Sequence, residues 1–161
     1  MGFNLNKLLT KAPWTIIPLI KLKELGGDAS ASEIAGELGV RSQLVKRAMW
    51  WLRKYGFVEE NVNVEPKRFK LKNEAYKAVE KLLINRWVKG NTTVILRGKI
   101  FYIFIVRERK IIVKTISKDI IDYARKVSSE RKIENVKDIS EALKIPLNLA
   151  SIVLRVLRTT S

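Results

Sequence analysis

Apolar residues recur at helical spacing through most of the chain and give way to strand-like runs in two places. Phe3, Leu5, Leu8 and Leu9 suit a short amphipathic helix. Ile16, Ile17, Leu19, Ile20, Leu22 and Leu25 suit a second, with Thr15 as its N-cap. Pro18 then falls in the first turn, where a missing N–H costs nothing, and Gly26-Gly27 ends the helix. Ser30-Ala31-Ser32-Glu33 reads as a capping box opening a short helix that carries Ile34, Ala35 and Leu38 and stops at Gly39. After a tight turn, Val45, Ala48, Met49 and Leu52 mark the inner side of a longer helix over 42–54, ended by Gly56. Phe57 to Val62 and Arg68 to Leu71 read as paired strands turning near Pro66, and a helix over 73–86 completes this half.

The second half changes period. TTVILRGKIFYIFIVRERKIIVKTI, residues 92–116, predicts three antiparallel strands with turns at Arg97-Gly98 and around Glu108-Arg109. Residues 100–106 are apolar at every position, so both faces of that strand should be covered. One face is assigned to the chain's own helices and the other to a second copy, a homodimer interface; a wholly intramolecular core is the alternative. RGKIFYIF resembles the aromatic strand of RNA-recognition modules, but consecutive strands do not supply the interleaved helices of that fold. Ser117 then caps a helix over 118–129, followed by helices over 137–143 and 147–158.

Those last two helices echo the first half at a spacing of 105 residues: Ile34 with Ile139, Leu38 with Leu143, Val40 with Ile145, Leu44 with Leu149, Leu52 with Leu157 and Arg53 with Arg158. Chance likeness between two amphipathic helix pairs is the competing account. The positions matching Ser42, Gln43, Lys46 and Arg47 are Leu147, Asn148, Ser151 and Ile152, and no wing sequence follows. This second unit is therefore expected to pack or pair rather than read bases.

The order in the first half (helix, short helix, glycine turn, longer helix, hairpin) is carried by SEIAGELGV (32–40), SQLVKRAMWWLRKYGFVEE (42–60) and RFKLKNEAYKAVEKL (68–82). It resembles the winged helix-turn-helix DNA-binding domains, most closely the bacterial and archaeal transcription regulators of the MarR and ArsR type, over about residues 14–86. The resemblance implies that the 42–54 helix enters the major groove with its N-terminal residues facing the bases. With Val45, Met49 and Leu52 turned inward, Arg41, Ser42, Gln43, Lys46 and Arg47 lie on or near the outward side. Gln43 suits adenine and Arg47 guanine, both bidentately, while Lys46 and Lys54 suit phosphates. In the wing, Lys67, Arg68 and Lys70 are candidate backbone contacts, although Glu59, Glu60 and Glu65 dilute the charge. Trp50 and Trp51 depart from the family, which usually has polar residues there. Adjacent helical residues point about 100° apart, so one ring is expected on the core or a subunit interface. The other is left for a subunit partner or for DNA, with Trp50 the candidate for DNA contact.

Charge strengthens this picture. Thirty-two Lys and Arg against sixteen Asp and Glu leave a formal charge of +16. Residues 86–161 carry seventeen bases and seven acids, so the excess is not confined to the first half. A fold gains nothing from such self-repulsion, which points to an anionic partner, nucleic acid first and an acidic membrane surface second; the resemblance narrows the first to double-stranded DNA. With 47% hydrophobic residues the chain has material for a core. The absence of Cys and His removes disulfides, thiol and imidazole chemistry and zinc fingers. No glycine-rich phosphate loop or paired-carboxylate signature is present, so no enzyme activity, cofactor or metal is expected. With no membrane span or signal peptide legible, a cytoplasmic protein is expected. Many Ile and Lys without Cys suit an archaeal-like, hot-environment source.

The combined expectation is an α+β chain: a winged helix-turn-helix domain over 1–88, then a three-stranded sheet and degenerate helix-turn-helix over 89–161 with a dimerisation or packing role. The function expected is sequence-specific DNA binding by a transcription regulator. The alternatives are a replication, partition or basal-transcription factor using the winged helix as a clamp, or an RNA-binding or protein-docking module.

Overall fold

The structure, a computed structural model, describes residues 3–161. Among them the chain is α+β, with eight α-helices and two antiparallel sheets of three and four strands. It divides into two compact units. The first runs to Ile84 and includes Val106–Ile112, and the second takes Asn85–Ile105 and Val113–Ser161.

In the first unit, Asn4 caps α1 (Leu5–Lys11) by accepting from the Lys7 N–H at 3.0 Å. A 3-10 turn over Pro13–Thr15 then runs directly into α2 (Ile16–Glu24). Thr15 precedes α2 in helical conformation, and its hydroxyl donates to the Ala12 carbonyl at 2.7 Å rather than accepting from an N–H of α2. Thr15 thus holds the expected N-cap position of α2 without the side-chain cap bond. Gly27 follows α2 with φ +83, a backbone sign that favours glycine, and an added Cβ there would meet the Tyr76 hydroxyl at 2.2 Å and force that side chain to shift. Asp28–Ser30 forms β1, which the sequence did not announce.

Ser30 then caps α3 (Ala31–Leu38) by accepting from the Glu33 N–H. The Glu33 carboxylate does not complete the expected box. It takes the Ser30 hydroxyl and the Arg68 guanidinium instead. Gly39 stops α3 in the left-handed region, and α4 follows over Ser42–Lys54. Leu44, Val45, Ala48, Met49 and Leu52 face the core from α4. Gly56 and Phe57 close that helix, the Phe57 N–H reaching back to the Leu52 carbonyl at 2.8 Å.

β2 (Val58–Asn61) and β3 (Arg68–Leu71) pair antiparallel, and β1 adds to the far side of β3, giving the order β1-β3-β2. A 3-10 turn at Asn73–Ala75 leads into α5 (Tyr76–Ile84), shorter than the sequence predicts.

The reason is a fourth strand in the second sheet. Arg86–Lys89 leaves the helix to form β4, pairing with β5 (Thr92–Arg97) across Gly90-Asn91. Lys89 stands opposite Thr92 and Gly90 has φ +60, the signature of a two-residue hairpin turn. The sheet therefore has four strands in the order β4-β5-β6-β7 rather than the three expected, with β6 at Ile100–Val106 and β7 at Ile111–Ser117. The β5–β6 turn sits at Gly98-Lys99, one residue later than expected, because Arg97 pairs with Ile100. One face of this sheet, with Val94, Phe101, Ile103 and Ile105, is buried. The other is uneven, since Phe104 is 1% exposed and Ile100 43%.

Ser117 caps α6 (Lys118–Glu130) as expected. α7 (Val136–Leu143) and α8 (Leu147–Thr160) then repeat the α3–α4 pair. The repeat extends to the caps at the same spacing of 105 residues: Ser30 and Asn135 both cap, and Gly39 and Lys144 are both left-handed. The Val40 N–H donates to the Ala35 carbonyl as the Ile145 N–H donates to Ser140. In the second copy the capping box is complete, Asn135 and Asp138 bonding reciprocally. The two-helix likeness is thus geometric as well as compositional.

Lys144 is the residue in the second copy that fits its backbone worst, at φ +57 where the first copy has glycine. Lys144→Gly removes that strain, less the entropy glycine loses on folding. It should raise stability by up to about 1 kcal/mol in a denaturant titration.

Candidate nucleic-acid interface

The 3.6-residue period that buries the apolar side of α4 leaves Gln43, Lys46, Arg47 and Trp50 exposed along the opposite side, with Ser42 half-buried at the first turn. Lys46 and Arg47 meet no carboxylate among the described residues. Arg47 lies over the Trp14 ring, 5.9 Å from its centroid, which orients the guanidinium without neutralising it. Arg41 is held differently. It precedes α4, its N–H donates to the Glu108 carbonyl at 2.8 Å, and its side chain pairs with the Glu108 carboxylate at 3.3 Å.

The two tryptophans differ in exposure. Trp51 is half-buried and Trp50 is 50% exposed, so neither ring enters the core. Their rings meet edge to face at 4.9 Å, and Trp51 stacks on Tyr55. The Lys54 ammonium sits over all three, 5.1 Å from Trp50, 5.5 Å from Trp51 and 5.9 Å from Tyr55. These aromatic faces hold a cation at the end of the helix, which is what so much aromatic surface beside a basic stripe does here.

Two of the hairpin cations, Arg68 and Lys67, are engaged by carboxylates. Arg68 reaches Asp28 and Glu33, each at 2.7 Å, and also donates to the Asp28 carbonyl. Donating to the Asp28 carboxylate raises the Arg68 pKa, and the hydrogen bond Arg68 donates to Glu33 lowers that of Glu33. Lys70 is exposed and stands in register between Asp28 and Glu59. Lys67 pairs with Glu60 at 2.7 Å, and Arg53 of α4 pairs with the other oxygen of the same carboxylate. Glu60 therefore ties the hairpin to α4 inside a cleft of about 250 Å³ lined also by Lys46, Met49 and Trp50. Of the ten candidates, the structure gathers Ser42, Gln43, Lys46, Arg47 and Trp50 on one stripe and turns Arg68 and Lys67 toward acids.

Arg53 and Glu60 are the residues missed. Their seven-residue separation crosses the helix end and the strand start, so no single periodicity relates them.

Hydrogen bonding from Lys67 lowers the Glu60 pKa from its ordinary 4.5. A carboxyl depressed on folding stabilises the fold above its unfolded value and loses that contribution as pH falls through its folded value. Thermal stability should accordingly fall below about pH 4.5, and Glu60→Gln should flatten part of that decline. Melting curves of the two proteins across the acid range check it; parallel declines would show that Glu60 is not the titrating group.

Among the described residues no helix is long and apolar enough to cross a membrane. Among the described residues no group of three or more acidic side chains is placed to hold a metal ion. No protein-family model, curated protein or solved structure matches the chain.

Proposed function

We propose that the protein binds double-stranded DNA as a winged helix-turn-helix module, with α4 in the major groove and the β2–β3 hairpin beside it, and that it serves as a sequence-specific transcription regulator. The observation that carries this reading is the exposed stripe of Gln43, Lys46 and Arg47, whose two cations have no internal carboxylate. A buried inner face and a free, hydrogen-bonding outer face are what a helix needs to lie in a groove with distinct base-edge patterns. α3 and the left-handed turn at Gly39 hold α4 from behind, leaving that face unobstructed. In this reading Lys54, fixed by three rings, marks the phosphate end of the helix, and the hairpin contributes position more than charge because its cations are partly neutralised.

A homodimer follows from the same reading, with two copies of α4 meeting successive major grooves roughly 34–36 Å apart. Selection of bound duplexes from a random pool, followed by footprinting, tests the proposal. A protected palindrome with that half-site spacing is the expected result. Protection without sequence preference would favour a clamp-like replication or basal-transcription role, and no duplex retention would sink the DNA reading.

A further inference from the structure

The repeat at 105 residues extends beyond the helices to the clefts beside them. Lys46, Met49, Trp50 and Arg53 line the cleft between α4 and the β2–β3 hairpin. Ser151, Leu154, Arg155 and Arg158, their counterparts, line a cleft of about 340 Å³ in the second unit. There α8 packs on β4 and β5, so a hairpin that precedes the helix pair in sequence supplies the opposite wall. No wing sequence follows these helices; the hairpin beside them precedes them in the chain.

The two clefts differ in charge balance. In the first, the hairpin contributes Glu60, and its carboxylate is gripped by Arg53 and Lys67. In the second, the hairpin contributes Lys89 and Thr92, and no carboxylate lines the space. Arg158, equivalent to Arg53, donates to the Glu134 carbonyl at 3.1 Å, and Arg155 donates to the Thr92 hydroxyl at 3.0 Å. The Lys89 ammonium reaches only the Arg158 carbonyl, at 3.4 Å. Three cations thus converge with neutral partners, each retaining donors that no anion satisfies.

We infer that this second cleft is a phosphate-binding site, where Arg155, Arg158 and Lys89 grip a phosphate group as Arg53 and Lys67 grip the Glu60 carboxylate. Guanidinium forks match phosphate oxygens in pairs, and the exposed Ser151 side chain stands at the cleft for a further bond. The group comes either from a nucleic-acid backbone or from free phosphate. The site does not depend on base reading by α4.

The test uses the full chain. Inorganic phosphate, titrated at constant ionic strength, should give saturable amide NMR shifts at Thr92, Ser151 and Arg155. Ser151→Glu, which installs the carboxylate that the first unit has built in, should abolish them, as should Arg155→Gln. In the second arm, a random-sequence duplex is titrated across salt concentrations. If a backbone phosphate is the ligand, Lys89→Gln combined with Arg155→Gln should lower duplex affinity about tenfold and flatten the log–log salt slope by about 1–2. Phosphate shifts without a duplex effect assign the site to free phosphate. Absent shifts together with an unchanged slope, or shifts that persist in both Ser151→Glu and Arg155→Gln, overturn the inference. Lys46→Ala with Arg47→Ala separates this result from failure of the α4 reading, because that variant keeps the phosphate shifts. Melting curves confirm that each variant folds, and Lys89→Gln alone, which gives up one long bond to a carbonyl, should weaken both ligands without lowering stability.

Discussion

Phe57→Ala should destabilise the protein by about 3–5 kcal/mol, the largest loss expected from a single side chain here. Phe57 is fully buried, and its ring lies 5.3 Å from that of Phe3. Its backbone is fixed at both ends: the N–H donates to Leu52 at 2.8 Å and the carbonyl accepts from Lys72 at 2.9 Å. Because the backbone cannot follow a shrinking side chain, the space left by the ring should stay largely open, and a rigid cavity is the costly kind. The residue also joins the end of α4 to the start of β2, so loosening it should disturb the Arg53–Glu60 tie across the same cleft. Urea titration followed by tryptophan fluorescence is the measurement, with Trp50 and Trp51 reporting on this unit. A loss under about 1 kcal/mol would mean that Phe57 does not occupy the core.

Replacing Lys46 and Arg47 with Ala should weaken specific duplex binding by roughly ten- to a few-hundredfold while leaving the melting temperature almost unchanged. Both side chains are exposed and neither forms an internal ion pair, so the fold loses little. A bidentate arginine–guanine contact is worth about 1–3 kcal/mol of discrimination, and each phosphate contact contributes about 0.9 to the salt slope. The double variant should therefore lose roughly ten- to a few-hundredfold in affinity for a selected site, with a shallower salt dependence. The single variants divide the effect. Lys46→Ala should weaken all sequences alike, whereas Arg47→Ala should relax preference at one base pair. Anisotropy titrations on selected and scrambled duplexes at two salt concentrations read both. Unchanged affinity for the selected duplex would remove α4 from the interface and favour protein docking as its role.

The limits of sequence reading are specific. Helix α4 matched its expected range because one apolar stripe, a glycine exit and the absence of Gly or Pro inside it all agree over thirteen residues. β3 was equally legible from its alternation. β1 was not, because three residues carry no periodicity and become a strand only when β3 lies alongside. β4 had a signal in Gly90-Asn91 between apolar runs, but the preceding helical pattern ran into it and hid the boundary. The exposed stripe of Gln43, Lys46 and Arg47 followed directly from the period of α4. The fate of Arg68 did not, since its partners Asp28 and Glu33 lie 40 and 35 residues away.

What the sequence determined alone is whatever local periodicity, capping and composition can encode: the helices, the basic excess, the inner and outer sides of α4, and the repeat of one helix pair. Tertiary structure decided which cations remain available. Charge is a property of a residue, but its neutralisation depends on an acid brought near by folding. That is why Glu60 silences Arg53 and Lys67 while Arg155, Arg158 and Lys89 stand without a carboxylate.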